Sequence, residues 1–352
     1  MDFFEQHGQK LAAFSRLSGV LGARADYVQG GGGNTSVKLD NRLMAIKASG
    51  FMLSDITPRQ AYAVLDYEQL RRFYLEQDPR DLQDVEAMGS AEAKASTLGI
   101  EGLSALRPSV EAGFHSLLDG FVAHTHSVWG NLAACSGEAG AILQEVLKGA
   151  NYGYALVPYV DPGARLTFEI RDALRRAQQK GERQPAVLLM QNHGPIVHHD
   201  DPDACLRIHE DMNLRIASHL GLRFEDFPQA CIEQDGAEGW RSATPWLWEL
   251  LCGNRYPDSL LLNEPLYPDQ MVFFRNTLGE KMTIDRATGH VHYALPRQSA
   301  QTLEETLCAV LFIHETLARL NLPLVAMGQE AQQFISGWES EKYRKSLSEG
   351  SR

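Results

Sequence analysis

The spacing of hydrophobic residues along the chain changes between a helical period and a strand period, and it predicts a mixed α/β protein. Residues 2–22 carry apolar side chains three or four positions apart, the period of a helix with one buried face. Residues 36–39 and 42–48 are short β-favouring runs joined by an Asp-Asn pair, which predicts a hairpin. The fully apolar run 186–190 predicts a strand buried on both faces of an α/β sheet.

The same patterns assign the remaining elements. Residues 61–77 predict a surface helix, and the acidic stretch 78–96, rich in small residues, predicts a mobile excursion. From about residue 226, turn residues and tryptophans become frequent and predict a connector with one short helix. The elements predicted beyond it are a strand over 266–274, a hairpin over 280–295 and amphipathic helices over 302–320 and 330–347.

Length and composition are those of an ordinary globular protein. The 352 residues suffice for two domains or one large one, with 44% hydrophobic and 22% charged residues. A net charge of −12 argues against nucleic acid as a partner, because a phosphate backbone needs a basic face. The start lacks a secretory signal and no apolar run approaches the roughly 20 residues that span a bilayer, so we expect no membrane partner. Five scattered cysteines predict reduced thiols and a cytoplasmic location.

A carboxylate and three histidines stand where they could form a metal centre. His124 and His126 follow a short apolar run, and side chains two apart on a strand share a face, with α-carbons roughly 6.5–7 Å apart. Two imidazoles at that spacing can bind one metal ion. His193 follows a predicted buried strand, and sites in α/β sheets gather at strand ends, so it is a candidate third ligand. Glu111, ahead of the pair, is the candidate carboxylate.

These residues also have structural interpretations. Glu111 lies in the first turn of a predicted helix, where the positive end of the helix dipole favours a carboxylate. His115, one turn later, is better explained by a structural hydrogen bond than by metal binding. His198 and His199 are weaker ligand candidates beside His193. The helix that follows carries HEDMN, which lacks the second histidine of HExxH, and this excludes a zincin-type site there.

Four consecutive glycines, Gly30 to Gly33, precede polar residues that could bind an anion. Glycines let a backbone approach a phosphate, and Asn34, Ser36 and Ser49 offer hydrogen-bond donors. The alternative is a flexible loop before a hairpin. The sequence fits neither GxxxxGK[ST] nor GxGxxG at the start of a helix, so a nucleotide site has little support.

Five short motifs, GNTS, KASG, PSVE, HTH and NHG, occur in this order within residues 5–225. The series resembles the class II aldolase/adducin family, the metal-dependent fuculose-phosphate and rhamnulose-phosphate aldolases and their relatives. The whole chain looks most like the longer subgroup that includes the aldolase part of bifunctional rhamnulose-phosphate aldolase/dehydrogenase proteins. The resemblance implies a three-layer α/β/α sandwich with a mixed, largely antiparallel central sheet. We therefore expect a class II aldolase-like catalytic domain, residues 1–225, and a small C-terminal α/β extension, residues 226–352.

The resemblance also assigns roles to residues. His124, His126 and His193 match the family's three zinc ligands, and Glu111 matches its acid/base carboxylate. The positions that match or adjoin the family's phosphate-binding loops are Asn34, Ser36, Ser49, Gly50 and Ser109. The family is usually a tetramer with active sites at subunit contacts, so we expect a homo-oligomer.

One position departs from the family pattern, and one residue of the family has no match by motif. Val110 stands where the family has a second serine, which removes one expected phosphate donor. The family's tyrosine acid comes from a neighbouring subunit and has no match by motif; the candidates are Tyr152, Tyr154 and Tyr159.

The implied function is metal-dependent cleavage of a ketose 1-phosphate, or a related sugar phosphate, to dihydroxyacetone phosphate and an aldehyde. It would proceed through a zinc-stabilised enediolate, with the pKa of Glu111 raised by burial to suit proton transfer. The alternative is an epimerase, dehydratase or sugar-acid decarboxylase using the same site. A non-catalytic adducin-like scaffold is a different class, and it would not need the histidines and the glutamate. A structural zinc site is disfavoured, because such sites usually recruit cysteines and four protein ligands.

Overall fold

The computed structural model describes residues 2–236 and 239–337, and its centre is an eight-stranded sheet. The strands are β1 Asn34–Lys38, β2 Leu43–Lys47, β3 Tyr62–Asp66, β4 Thr97–Leu98, β5 Phe121–His124, β6 Gly153–Val157, β7 Pro185–Met190 and β8 Gly194–His199. They lie in the order β4-β3-β2-β1-β5-β8-β7-β6. β6 and β7 run parallel, and the other neighbouring pairs are antiparallel. The prediction of a mixed, largely antiparallel sheet is confirmed.

Helices cover both faces of this sheet. They are α1 Phe3–Gly22, α2 Tyr67–Glu76, α3 Val85–Ala95, α4 Ala112–Leu117, α5 Val128–Ala134, α6 Ala139–Val146, α7 Ala164–Gln179 and α8 Pro202–His219. Alternate residues of a strand point to opposite faces. On β5, Val122 packs in one core with residues of α4 and α7, while Phe121 and Ala123 belong to the core that includes α1, α5 and α8. The predicted three-layer arrangement is therefore confirmed.

The region after residue 226 adds a second, smaller sheet and more helices. Its strands are β9 Ile232–Asp235, β10 Gly239–Ser242, β11 Met282–Ile284 and β12 Val291–Tyr293, in the order β11-β12-β10-β9. Its helices are α9 Pro245–Leu251, α10 Asp258–Asn263, α11 Pro268–Phe274, α12 Arg297–Arg319 and α13 Gln329–Gly337. The buried core continues into this region: the ring of Trp129 on α5 meets Phe312 on α12 edge-on, with centroids 5.5 Å apart. The division at residue 225 stays a prediction.

The structure differs from the local prediction in three places. Tyr62–Asp66 is a strand and not the start of a helix, because it pairs with β2 and is fully buried. The helix begins only at Tyr67, where the Asp66 side chain accepts a hydrogen bond from the Gln69 amide at 3.1 Å. The stretch 78–96 contains α3. Residues predicted as a strand over 266–274 include helix α11, which begins at a proline.

Other local predictions were correct or partly so. The hairpin of β1 and β2 and that of β11 and β12 form as expected. The predicted connector contains a hairpin of its own, β9 and β10. The last predicted helix is described as far as Gly337, and its remainder lies outside the described residues. Among the helices that the structure describes, none is long and apolar enough to cross a membrane.

Candidate metal centre and active site

Three histidines from two adjacent turns converge at one end of the central sheet. His124 ends β5, His126 lies in the turn to α5, and His193 lies in the turn between β7 and β8. Because β5 pairs with β8, these turns lie side by side. One ring nitrogen of each histidine lies within 4.8 Å of those of the other two. All three side chains are buried.

The hydrogen bonds of two of these imidazoles leave their Nε2 atoms available to a cation. His124 Nδ1 lies 3.1 Å from the carbonyl oxygen of Pro195, and His126 Nδ1 lies 2.5 Å from Asp269 Oδ2. Both partners are acceptors, so each Nδ1 carries the proton, a tautomer assigned from the partners. Burial lowers the pKa of His124 to about 4 despite the opposing charge of Glu111. The His124 ring is therefore neutral at neutral pH.

The distance between two of the imidazoles fits a shared metal ion. The Nε2 atoms of His124 and His126 lie 3.2 Å apart, and in the assigned tautomers two lone pairs face each other. Lone pairs in this arrangement repel unless a cation lies between them. Zinc with Zn–N distances of about 2.0–2.1 Å separates tetrahedral ligand nitrogens by about 3.3 Å. The residues present therefore fit a divalent metal.

Glu111 faces the same nitrogens. Its Oε2 lies 3.6 Å from His124 Nε2, and its Oε1 lies 3.4 Å from His193 Nε2. Glu111 occupies the N-cap position of α4, yet its side chain makes no capping hydrogen bond. Oε1 has no hydrogen-bond partner among the described residues. The carboxylate is thus directed at the histidines, and capping does not explain its orientation.

The expected rise in the pKa of Glu111 is wrong. Burial does raise this pKa, but the three histidines and a hydrogen bond from Asn34 lower it by more, so the net pKa lies below its usual value. The physical reason is that the carboxylate is buried beside polar and chargeable groups, which stabilise its ionised form.

Asn34 holds the Glu111 carboxylate and is itself held by His115. In the register of β1 and β5, Asn34 lies opposite His124. Its Nδ2 donates to Glu111 Oε2 at 2.5 Å, and its Oδ1 accepts from His115 Nε2. Ser36 Oγ lies 2.7 Å from His115 Nδ1 and donates to it, because Nε2 carries the ring proton. Burial holds the pKa of His115 well below its usual value, so the ring is neutral.

The structure brings most of the candidate phosphate-binding residues close together. Asn34 Nδ2 lies 3.2 Å from Ser109 Oγ. The KASG and PSVE segments lie side by side through a bridge between Ala48 and Pro108, where the Ser49 amide donates to the Arg107 carbonyl at 2.9 Å. Gly50 follows Ser49 in the chain. The Ser36 hydroxyl is already bonded to His115. Anion binding by the candidate residues stays a prediction.

The tyrosine candidates differ in their surroundings. Tyr152 donates to Asp211 Oδ2 at 2.7 Å. Tyr152 and Tyr154 line a surface cavity of about 950 Å³. Tyr159 is partly buried and packs in a small cluster that includes Met271 of α11. None of these contacts identifies which tyrosine, if one of the three, acts as the acid.

Asp269 is the residue of this site that sequence reasoning missed. It lies on α11, 143 positions after its partner His126. The run 266–274 was predicted as a strand, which gave its aspartate no role. The available signal was the Pro-Asp pair, since proline followed by an acidic residue is typical of a helix start.

Comparison with known proteins assigns the family. Residues 10–214 match the family model described as "Class II Aldolase and Adducin N-terminal domain". Because this match covers more than half of the chain, the protein belongs to the class II aldolase/adducin family. No curated protein matches the sequence.

Several solved structures are similar to parts of the chain. The N-terminal class II aldolase domain of a conserved protein from Thermoplasma acidophilum is 21% identical, covering 59% of this chain and 92% of that one, with a TM-score of 0.48. L-fuculose 1-phosphate aldolase from Glaciozyma antarctica PI12 is 12% identical, covering 87% and 91%, with a TM-score of 0.36. The enzyme of that name from Thermus thermophilus is 14% identical, covering 62% and 97%, with a TM-score of 0.36. These similarities are weak, so the family assignment depends on the match over residues 10–214.

Proposed function

We propose that the protein is a metal-dependent class II aldolase that cleaves a ketose 1-phosphate, or a related sugar phosphate, to dihydroxyacetone phosphate and an aldehyde. The observation that carries the proposal is the convergence of His124, His126 and His193 beside the buried carboxylate of Glu111. Three imidazole ligands leave open coordination positions, as a catalytic site requires and a closed structural site does not. Zn²⁺ is the proposed ion, because imidazole nitrogens suit it well.

The chain supplies the groups that handle protons and orientation. A divalent ion held by the three histidines would act as a Lewis acid for the adjacent carbonyl and hydroxyl oxygens of a ketose. In the condensation direction, Glu111 accepts the proton from the hydroxymethyl carbon of dihydroxyacetone phosphate, and in cleavage it returns that proton. Its lowered pKa keeps it ionised and ready to accept at neutral pH. Asn34 fixes one carboxylate oxygen and leaves Oε1 for the substrate.

The alternative functions share this ligand set. An epimerase, a dehydratase or a sugar-acid decarboxylase would also use three histidines and a nearby carboxylate, so substrate assays must separate them. A non-catalytic adducin-like scaffold would have no use for a buried carboxylate aimed at three buried imidazoles. Burying such groups without a function costs stability. The enzyme proposal therefore has better support than the scaffold.

Metal analysis tests the proposal first. Protein purified without chelator should carry about one divalent ion per chain, which the double variant His124→Ala, His126→Ala should lose. The exposed His219→Ala variant is the matched control and should keep its ion. An ion retained by the double variant would show that the metal centre is assigned wrongly.

Activity assays test the reaction. Ketose 1-phosphates should be assayed for release of dihydroxyacetone phosphate, pentulose 5-phosphates for epimerisation or dehydration, and sugar acids for release of CO2. Glu111→Gln should keep the ion and lose turnover by about 100-fold or more, the usual range for a general acid–base group. Activity on unphosphorylated sugar acids alone would replace the aldolase proposal with a decarboxylase.

Three further expectations stay predictions. The substrate is expected to be a small sugar phosphate, the location cytoplasmic, and the assembly a homo-oligomer with a tetramer favoured. Sedimentation velocity measures the assembly directly. A monomer at micromolar concentration would contradict the tetramer.

A further inference from the structure

A buried carboxylate from the C-terminal region reaches the candidate metal centre. Asp269, in the first turn of α11, places Oδ2 at 2.5 Å from His126 Nδ1. The Asp269 side chain is 1% exposed and that of His126 is 5% exposed. The other oxygen, Oδ1, has no hydrogen-bond partner among the described residues. Among the described residues, the Asp269 carboxylate therefore hydrogen-bonds through its side chain only to the His126 imidazole.

The glycine-rich loop has a shape that admits this contact. A Cβ at Gly32 would lie 2.2 Å from Asp269 Oδ2 and 2.9 Å from His126 Nδ1, so any other residue would force at least one of these groups to move. The absence of a side chain at Gly32 therefore allows Asp269, in the C-terminal region, to approach His126 closely. This role differs from the phosphate cradle and from the flexible loop considered for Gly30 to Gly33.

The segment that carries Asp269 is fixed to the turn that carries His193. Asn192 Nδ2 donates to the carbonyl of Leu266 at 2.9 Å, and the Leu266 amide donates to Gln270 Oε1 at 2.8 Å. The Tyr267 ring is fully buried, with its centroid 6.1 Å from that of His126. Asp269 is therefore held in place by contacts on both sides of it in the chain.

A purely structural role does not account for Asp269. A carboxylate removed from water loses much hydration, and one hydrogen bond to an imidazole does not offset that loss well. By contrast, metal-binding histidines commonly donate their other ring proton to a carboxylate, which fixes the ring and increases its basicity. The geometry of Asp269 and His126 is of this second kind.

We propose that Asp269 is a positioning residue of the metal centre, through which the C-terminal region orients His126 and tightens binding of a divalent ion. This inference rests on the proposed role of His126 as a metal ligand. It gives a residue of the region after 226 a direct part in the site.

The test compares metal affinity among variants. Asp269→Asn keeps an acceptor oxygen and the size of the side chain but removes the charge. Asp258→Asn makes the same change in the same region, at a partly exposed residue that pairs with Arg286. Zn²⁺ affinity is measured by competition with a chromophoric chelator, and the Co²⁺ absorption spectrum reports ligand geometry. Asp269→Asn should bind Zn²⁺ about 10- to 100-fold more weakly than wild type, the range for loss of such a partner, and should alter the Co²⁺ spectrum.

The outcomes separate the two proposals. Equal Zn²⁺ affinity and Co²⁺ spectra in Asp269→Asn and Asp258→Asn overturn the role of Asp269, whatever happens to thermal stability. Should Asp269→Asn fail to fold, Gly32→Ala provides a second variant, because its methyl group clashes with the contact between the same two side chains and leaves both present. Wild-type affinity in that variant also overturns the inference. A wild-type protein that binds no ion at all instead removes the metal centre and with it the proposed function.

Discussion

Asn34 Nδ2 donates to Glu111 Oε2 at 2.5 Å, and this bond links the first of the five ordered motifs, GNTS, to the third, PSVE. The two residues are 77 positions apart and both are buried. A carboxylate only accepts, so the Asn34 Nδ2 faces Glu111, and its Oδ1 is left to accept from His115 Nε2. The carboxylate is therefore positioned by a chain of side chains and not by the helix that it precedes.

Asn34→Ala should raise the pKa of Glu111, since it removes a hydrogen bond that stabilises the ionised form. The carboxylate is the form that accepts a proton, so the acidic limb of kcat/KM should move to higher pH. We expect kcat to fall about 10- to 100-fold, as for loss of a hydrogen bond to a charged group. Gln178→Ala, an exposed amide on α7, is the control. An unmoved acidic limb would contradict the link between Asn34 and Glu111.

His115→Phe should destabilise the protein while leaving the metal bound. The variant leaves Asn34 Oδ1 and Ser36 Oγ buried without their partner. Each unsatisfied group should lower the free energy of unfolding by about 1–3 kcal/mol. Denaturant unfolding measures the loss, with Ser36→Ala as the milder variant that removes one partner only. If His115→Phe lost its ion, the residue would belong to the metal centre after all.

Val110→Ser tests whether the substrate carries a phosphate. Val110 is half-buried between Ser109 and Glu111, at the position where the family pattern has a second serine. If the substrate is a ketose phosphate, the added hydroxyl should lower KM by about 5- to 10-fold, the gain of one hydrogen bond, with kcat little changed. Val110→Ala removes bulk without adding a donor and is the matched control. An equal change in both variants would show that size, and not hydrogen bonding, matters at this position.

The fold and the histidines were predictable because their signals are local. An apolar run followed by His124 and His126 identifies a strand end, and the buried run 186–190 does the same for His193. Pairing between β5 and β8 then brings the ends together. The sequence predicts where each strand ends, and the pairing of the strands in the sheet brings the histidines at those ends together.

The rest of the site depends on contacts that no local pattern contains. The role of Asp269 could not be predicted from the sequence. It depends on contact with His126, 143 positions away, and on the space that glycine leaves at position 32 because it has no side chain. Tyr62–Asp66 was predicted as helix for a related reason: its pairing with β2 outweighs the helical spacing around it. The pKa of Glu111 was misjudged because burial was considered without the neighbouring groups.

The free energy of unfolding should decrease at acidic pH because of His314, a buried residue of α12. Its ring lies 5.7 Å from that of Tyr256, and Nε2 has no hydrogen-bond partner among the described residues. Burial lowers its pKa from 6.5 to about 4, so the unfolded chain binds a proton more readily than the folded protein between these values. The stability that depends on the neutral ring is therefore complete above pH 6.5 and is lost as the pH falls towards 4.

His314→Phe should remove this part of the pH dependence, because phenylalanine fills a similar volume and does not titrate. Lowering the pKa of His314 from 6.5 to about 4 corresponds to a loss of about 3 kcal/mol of unfolding free energy between about pH 7 and pH 4. Urea unfolding of the metal-free protein at several pH values measures it, with the exposed His219→Gln variant as control. Above pH 6.5 we expect the curves of wild type and His314→Phe to be parallel, and below pH 6.5 we expect the wild-type curve to fall more steeply. Parallel curves over the whole range would show that His314 is already protonated, or is hydrated, in the folded protein.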